Sequence, residues 1–140
     1  MKKVVFIAVF ACLASWSFAQ EGEIRGTLSK NEVNVDVAVF SWDASVHDFG
    51  KIKQGIPVTH EFKFTNTGKA PLVVVNAQPS CGCTTPDWTK TPVPPGGSGF
   101  IKATFNAASA GPFNKTITVT ANVEGGSMYL SIKGEVLVAE

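Results

Sequence analysis

Apolar and polar residues alternate along several short segments of this 140-residue chain. From 58 to 65, Val58, His60, Phe62 and Phe64 would share one face of a β-strand, and the polar residues between them would share the other. The same period of two recurs at 100–106, 116–123 and 128–136, whereas 71–75 is a continuous apolar run whose two faces we expect to be covered. The pattern predicts an inward-facing core made of Phe62, Phe64, Leu72, Val74, Ile101, Phe105, Ile117, Val119, Leu130 and Ile132.

Turn signals separate these segments. Residues 66–69 and the pair Gly125–Gly126 have the composition of turns, and the Pro- and Gly-rich segment 86–99 is predicted to be a loop. Valines alternate with polar or small residues at 33–39, which predicts a first strand or an ordered arm at the domain edge. About seven short strands and no convincing helix predict an all-β sandwich, with a barrel as the alternative.

The first nineteen residues have the features of a secretory signal peptide. Lys2 and Lys3 precede an apolar run that is too short to span a bilayer, and Ser17-Phe18-Ala19 fits a small-residue cleavage site. We therefore expect cleavage after Ala19 and a periplasmic or secreted protein. A lipidated Cys12 is the alternative, although Phe10 fits a lipoprotein motif poorly. Residues 20–39 would then form a partly flexible lead, and residues 40–138 one domain.

The charge balance excludes some classes of partner. The chain has 12 Lys and Arg against 11 Asp and Glu, and removal of the signal peptide leaves 10 against 11. A net charge near −1 lacks the basic excess of nucleic-acid-binding proteins and gives no polybasic membrane anchor. No later apolar segment is long enough for a transmembrane helix. We expect a protein partner in the cell envelope, with no nucleic acid and no transmembrane segment.

Cys81 and Cys83 flank a single glycine and are the only cysteines beyond the predicted signal peptide. Such a pair can close a local disulfide, form a structural turn that caps a strand with two small buried sulfurs, act as redox-active thiols or bind a soft metal such as Cu(I). A disulfide that closes three residues stabilises the fold by only about 1.6 kcal/mol in the chain-entropy model. The Cys-x-x-Cys spacing of thioredoxin-like proteins is absent. We expect an oxidised pair whose reduction leaves the domain folded and mainly loosens the predicted loop 84–95.

Other candidate chemistry is sparse. Structural zinc needs about four ligands, and His47 and His60 are expected to be surface or core residues rather than ligands. Pro94–Gly99 is glycine-rich but has no lysine and no following helix, so it is interpreted as a turn rather than a phosphate-binding loop. The acidic residues are scattered, and no nucleophile elbow or metalloprotease helix appears. We predict no enzymatic activity, no metal and no cofactor.

Several separate motifs occur in order between residues 40 and 138: DFGKI at 48–52, HEFKFTNTG at 60–68, PL at 71–72, SCGCT at 80–84, PPG at 94–96, GPFNKTI at 111–117 and IKGEV at 132–136. Together they resemble the bacterial domain-of-unknown-function family 1573 (DUF1573). The resemblance implies an immunoglobulin-like β-sandwich, related to the ASH, major-sperm-protein and Hydin-type modules, in an exported protein. It implies no reaction, and only Cys81 and Cys83 carry over as shared candidate positions.

The sequence leaves two functions open. The first is an exported, non-enzymatic immunoglobulin-like module of the cell envelope, structural or protein-binding, because such sandwiches expose edge strands and end loops to partners. The second is a small periplasmic thiol protein that uses Cys81 and Cys83 for redox chemistry or Cu(I) handling. The fold alone does not choose between them.

Overall fold

A computed structural model describes residues 36–138 of the chain, and these residues form eight β-strands and no helix. The predicted signal peptide, its cleavage site, Cys12 and the lead as far as residue 35 lie outside the described residues. The strands are β1 (Phe40–Trp42), β2 (Val46–Lys53), β3 (Val58–Asn66), β4 (Val74–Pro79), β5 (Thr84–Trp88), β6 (Ser98–Phe105), β7 (Gly111–Ala121) and β8 (Ser127–Leu137).

The strands form two four-stranded sheets that enclose one core. Sheet 1 has the order β1-β3-β6-β5, and sheet 2 has the order β2-β8-β7-β4. Neighbouring strands are antiparallel except β2 and β8, which run parallel. Two separate sheets confirm the predicted all-β sandwich over the barrel, with eight strands instead of about seven. Gly125 and Gly126 both have positive φ and make the predicted tight hairpin between β7 and β8.

All ten predicted core residues are buried. Their burial follows from the two-residue period, because β3, β6, β7 and β8 each turn every second side chain toward the opposite sheet. Phe64, Ile101, Ile117 and Leu130 are at most 1% exposed and lie at the centre of this core. The prediction of which residues face inward is therefore confirmed.

The apolar run at 71–75 is not covered on both faces, so that expectation was wrong. Leu72 and Val74 are buried, but Val75 is 65% exposed. The reason is that the described residues form only two layers, so a side chain on the outer face of β4 has nothing packed over it, and the register of β4 is irregular between Val74 and Asn76. Because three consecutive residues are valine, the sequence does not show which of them face inward and which face outward.

The predicted loop at 86–99 is also wrong in its first part. Residues 84–88 form strand β5, which pairs with β6 at the edge of sheet 1. Pro86 lacks an N–H donor, and an edge strand tolerates this because one of its sides has no neighbouring strand. The loop before β6 is therefore shorter than expected, and Thr84 is already buried in a strand.

The segment ahead of β1 is an ordered arm in its described part. Ala38 is 1% exposed and forms a parallel bridge with Val123, whereas Val37 and Val39 are about 40% exposed. The arm runs close against the chain at Gly68, where a Cβ atom would overlap the backbone of the arm at Val37–Val39. The arm interpretation holds for these residues, but the valines point outward.

Candidate functional site

The Cys81–Cys83 pair lies where the chain crosses from one sheet to the other. β4 ends at Pro79 in sheet 2, and β5 begins at Thr84 in sheet 1. The two sulfurs are joined in a disulfide, and the Cα atoms are 5.3 Å apart, within the usual range for such a bond. Whether the pair serves as a staple or as reactive thiols stays a prediction.

Backbone hydrogen bonds hold this turn to both sheets independently of the disulfide. The Ser80 N–H donates to the carbonyl oxygen of Thr116 at 2.8 Å, and the Thr116 N–H donates to Ser80 Oγ at 3.2 Å. On the other side, the Asn106 N–H donates to the carbonyl oxygen of Cys83 at 3.0 Å. The turn is therefore positioned by β7 and by the end of β6, and the disulfide adds a local constraint to it.

A cleft of about 190 Å³ opens beside Cys83, between the end of β6 and the start of β7. Phe105 and Phe113 line it and stack with ring centroids 4.2 Å apart. Lys115 also lines the cleft, because it alternates with Phe113 and pairs with Ile132, which places it on the inward-facing side of sheet 2. Among the described residues, Lys115 is the one charged residue that lines this cleft. The site next to the disulfide is therefore apolar at its base and positively charged.

His47 and His60 come together although they belong to different sheets. Their rings stack nearly parallel with centroids 3.6 Å apart, and Phe49 and Phe62 contact them edge-on. Imidazole lone pairs lie in the ring plane, so two parallel stacked rings do not converge on one ion. Within residues 36–138, no group of three or more His, Cys, Asp or Glu side chains is arranged to hold a metal.

Burial lowers the pKa of His60 below its usual value of 6.5, and the neighbouring charge of His47 lowers it further. The carboxylate of Glu61 acts in the opposite direction and raises it. The net effect favours a neutral imidazole between the sheets, which is consistent with an apolar stacking role.

The outward faces of the two sheets differ in charge. On sheet 1, Glu61 and Lys102 are directly opposite each other, and Lys63 and Asp87 lie on the same face. On sheet 2, two rows across β4, β7 and β8 carry only uncharged side chains, which we call the Tyr129 patch: Asn76, Gln78, Thr118, Thr120, Ser127 and Tyr129. Tyr129 is 66% exposed. This surface is the second candidate site, and sequence reasoning did not find it.

Residues 40–136 match the model of a family described as protein of unknown function, DUF1573. The chain belongs to this family. The match spans β1 to β8, so the DUF1573 domain and the sandwich are the same unit over these residues. It includes both cysteines and the Tyr129 patch.

Solved structures with the fold of this DUF1573 domain come from distant proteins. A protein of unknown function from Porphyromonas gingivalis W83 has a TM-score of 0.63 and 18% identity, over 70% of this chain and 46% of that chain. The ASH/PapD-like domain 7 of human CEP192 has a TM-score of 0.58 and 12% identity, over 75% of this chain and 89% of that chain. The chain thus spans less than half of the P. gingivalis protein.

A family 123 glycoside hydrolase from Clostridium perfringens has a TM-score of 0.58 and 12% identity, but the likeness covers 74% of this chain and only 26% of the enzyme. At these identities the likenesses show the fold alone, and they confirm the immunoglobulin-like class. No curated protein matches the chain by sequence.

Sequence reasoning identified Cys81 and Cys83 but not the groups around them. Lys115 stands in an alternating segment whose inward positions are otherwise apolar, and this break in the pattern is the signal that points to it. His60 was placed on the apolar face, but its stacking with His47 depends on how β2 and β3 face each other. Among the described residues, no helix has the length and apolar character that crossing a membrane requires.

Proposed function

We propose that this DUF1573 protein is an exported, non-enzymatic immunoglobulin-like module of the bacterial cell envelope that binds another protein. The Tyr129 patch is the observation that carries the proposal. It spans three strands of sheet 2 and lacks charge, whereas the outer face of the other sheet is charged. Export rests on the composition of residues 1–19.

The composition of the patch suits a protein interface. The centres of such interfaces are depleted of charged residues and enriched in tyrosine. In antibody-type binding surfaces, small hydroxyl and amide side chains beside tyrosine supply adaptable hydrogen bonds. Tyr129 lies opposite Thr118, and Thr118 lies opposite Gln78, so one row presents an aromatic ring, a hydroxyl and an amide side by side. The threonines are stiff at χ1, which limits the entropy lost when a partner binds.

Charged groups border the patch at one end. Lys133 and Asp48 form an exposed ion pair at 3.8 Å between β8 and β2. Val46, which is 51% exposed, lies opposite Ser131 between this pair and the patch. An uncharged centre with a charged, solvated border is the usual arrangement of a non-obligate protein interface.

Site-specific crosslinking in the native host tests the binding proposal. A photoreactive amino acid at position 129 should give a crosslinked adduct of discrete mass in the envelope fraction. The matched control places the same amino acid at Lys63, an exposed position on the charged face of sheet 1. The same adduct at both positions, or none at position 129, would overturn the proposal.

The export part has a separate test. The protein isolated from the envelope fraction should begin at Gln20 by mass spectrometry, with the pyroglutamate form as an accepted variant. An intact Met1, or a lipid on Cys12, would contradict cleavage after Ala19.

A second candidate function is a small thiol protein that handles electrons or Cu(I). The specific observation that favours it is the position of the disulfide, because Cys83 lines a cleft instead of being enclosed in the core. Titration of thiols by mass spectrometry, with and without reductant and Cu(I), tests this candidate. A pair that resists mild reductant and, once reduced, leaves Cu(I) unbound would exclude it.

A further inference from the structure

The two sulfurs of the disulfide lie in different surroundings. Cys83 lines the cleft and packs against the core, whereas Cys81 does not line that cleft. The Sγ atom of Cys81 is instead 4.0 Å from Thr84 Oγ1, whose hydroxyl can donate a weak hydrogen bond to sulfur. A molecule seated in the cleft therefore approaches the disulfide from the side of Cys83.

Lys115 gives the cleft a positive charge, and the described residues place no carboxylate in the lining of the cleft. None of the described residues that line the cleft is acidic, and none of the ion pairs between described residues involves Lys115. The nucleophile in thiol–disulfide exchange is a thiolate, so a lysine at this position attracts the reactive form of an incoming thiol. Phe105 and Phe113 supply an apolar surface for the residues that flank that thiol.

We infer that the Cys81–Cys83 disulfide oxidises a dithiol of a partner protein, with Cys83 as the attacked sulfur and Lys115 as the residue that draws the thiolate into the cleft. The inference rests on the thiol candidate function and is independent of binding at the Tyr129 patch. The two sites lie on different parts of the sandwich, one at a sheet-to-sheet turn and the other on an outer face.

The exchange proceeds in two balanced steps. A partner thiolate attacks Cys83 Sγ and forms a mixed disulfide, while the bond between the two protein sulfurs breaks and its electron pair leaves with Cys81. The Cys81 thiolate accepts a hydrogen bond from the Thr84 hydroxyl and then takes a proton from water. The partner's second thiol loses its proton to water and attacks the partner's own sulfur in the mixed disulfide. The bond from that sulfur to Cys83 breaks, its electron pair leaves with Cys83 Sγ, and the Cys83 thiolate takes a proton from water. The partner thus gains a disulfide, and Cys81 and Cys83 are reduced to two thiols.

The surrounding structure allows this change without unfolding. Hydrogen bonds from Asn106 and to Thr116 hold the turn in place, and they do not involve the sulfurs. A ring that closes only three residues adds little loop-closure entropy, so the reduced state loses little stability. The pair can therefore change oxidation state while the sandwich and the cleft persist.

The charge of small thiols provides the test. The oxidised full-length mature protein is reduced either by glutathione, which has net negative charge, or by cysteamine, whose ammonium group is positive, at equal thiolate concentrations. Lys115→Gln should lower the ratio of the glutathione rate constant to the cysteamine rate constant by about threefold at low ionic strength, as expected for the loss of one positive charge from the lining of the cleft. Lys102→Gln, which removes a lysine from the outer face of sheet 1, should leave the ratio unchanged.

Single-cysteine variants identify the attacked sulfur. Cys81→Ser leaves Cys83, and Cys83→Ser leaves Cys81, and each is treated with glutathione disulfide and with cystamine. The ratio of the rate constant with glutathione disulfide to that with cystamine should be at least about twice as large at Cys83 as at Cys81. Lys115→Gln should remove this difference between the two cysteines. An equal preference at both sulfurs, or a rate ratio unaffected by Lys115→Gln, overturns this inference while the thiol function stands. A wild-type disulfide that reacts with neither thiol overturns both.

Discussion

The imidazole rings of His47 and His60 stack face to face across the two sheets, with their centroids 3.6 Å apart and their planes 6° from parallel. His47 belongs to β2 and His60 to β3, so the pair ties the edge strand of sheet 2 to an inner strand of sheet 1. The stack is compatible with at most one positive charge, because two imidazolium rings at this distance repel each other.

Acid should therefore destabilise the domain through His60. Its pKa is lowered in the folded state by burial and by His47, so the unfolded chain binds the proton first as the pH falls through about 6.5. The free energy of unfolding should decrease from about pH 7.5 to about pH 5.5, a window above most carboxylate titration. Urea unfolding at the two pH values measures this. The His60→Gln variant should show a smaller decrease, and an equal decrease in the variant would argue against the stacked pair as the cause.

Phe64 and Gly99 should be energetically coupled. Phe64 is 1% exposed, lies opposite Gly99, and a Cβ atom on Gly99 would overlap its ring. We expect Phe64→Ala to cost about 3–5 kcal/mol by leaving a cavity, and Gly99→Ala to cost about 1–3 kcal/mol by overpacking. The double variant should cost less than the sum of the single changes. Chemical denaturation of the three variants tests this, and strict additivity would contradict the register of β3 and β6.

Asn66 connects three segments of the chain from a fully buried position. Its Oδ1 accepts hydrogen bonds from the N–H groups of Val39 and Gly68, and its Nδ2 donates to the carbonyl oxygens of Ala70 and Val93. The side chain thus supplies hydrogen-bond partners to backbone groups of the arm, of the turn after β3 and of the loop before β6. Removing it leaves buried polar groups without partners, which is costly.

We expect Asn66→Ala to lower the free energy of unfolding by on the order of 3 kcal/mol. Asn122→Ala is the matched control, because Asn122 is exposed although its side chain makes two hydrogen bonds, with the Val73 N–H and the Pro71 carbonyl oxygen. That change should cost about 1 kcal/mol, since water can replace the lost partners. Equal costs in thermal or urea unfolding would show that burial does not decide the effect.

The sequence predicted the core better than the edges. In β3, strict alternation marks Phe62 and Phe64 as inward residues, and they are buried as expected. In β4, consecutive valines leave no alternation to follow, so the exposure of Val75 was missed. In β5, Pro86 suggested a loop, although an edge strand accommodates proline. Asn66 was assigned to a turn from its composition alone, because the sequence does not reveal its hydrogen bonds with Val39 and Val93, each 27 residues away.

Reduction of the disulfide should leave the sandwich folded. The expected loss of stability is at most about 1.6 kcal/mol from loop-closure entropy. Because β5 is paired with β6, increased deuterium exchange should be confined to residues 80–83, rather than extending through 84–95 as the sequence pattern suggested. Hydrogen exchange of the reduced protein and of a Cys81→Ser, Cys83→Ser double variant measures this. Global unfolding in either sample would mean that the pair is a structural staple.

The candidate sites were only partly predictable, because each depends on how strands that are distant in the sequence come together. The spacing of Cys81 and Cys83 is visible in the sequence, but the cleft beside them depends on how β6 and β7 approach the sheet crossing. Tyr129 likewise looks like an ordinary strand residue. Its uncharged neighbours become apparent only when the register places Thr118 and Gln78 beside it.

The affinity of the crosslinked partner for patch variants tests the central proposal most directly. Isothermal titration with the full mature protein should give at least about a tenfold weaker affinity for Tyr129→Ser, because an exposed tyrosine, the one aromatic side chain of the patch, is expected to be a binding hot spot. The matched change Lys63→Ser, on the charged face of sheet 1, should leave the affinity within about twofold of wild type. Unchanged affinity for Tyr129→Ser, or an equal loss for both variants, would contradict binding through this face.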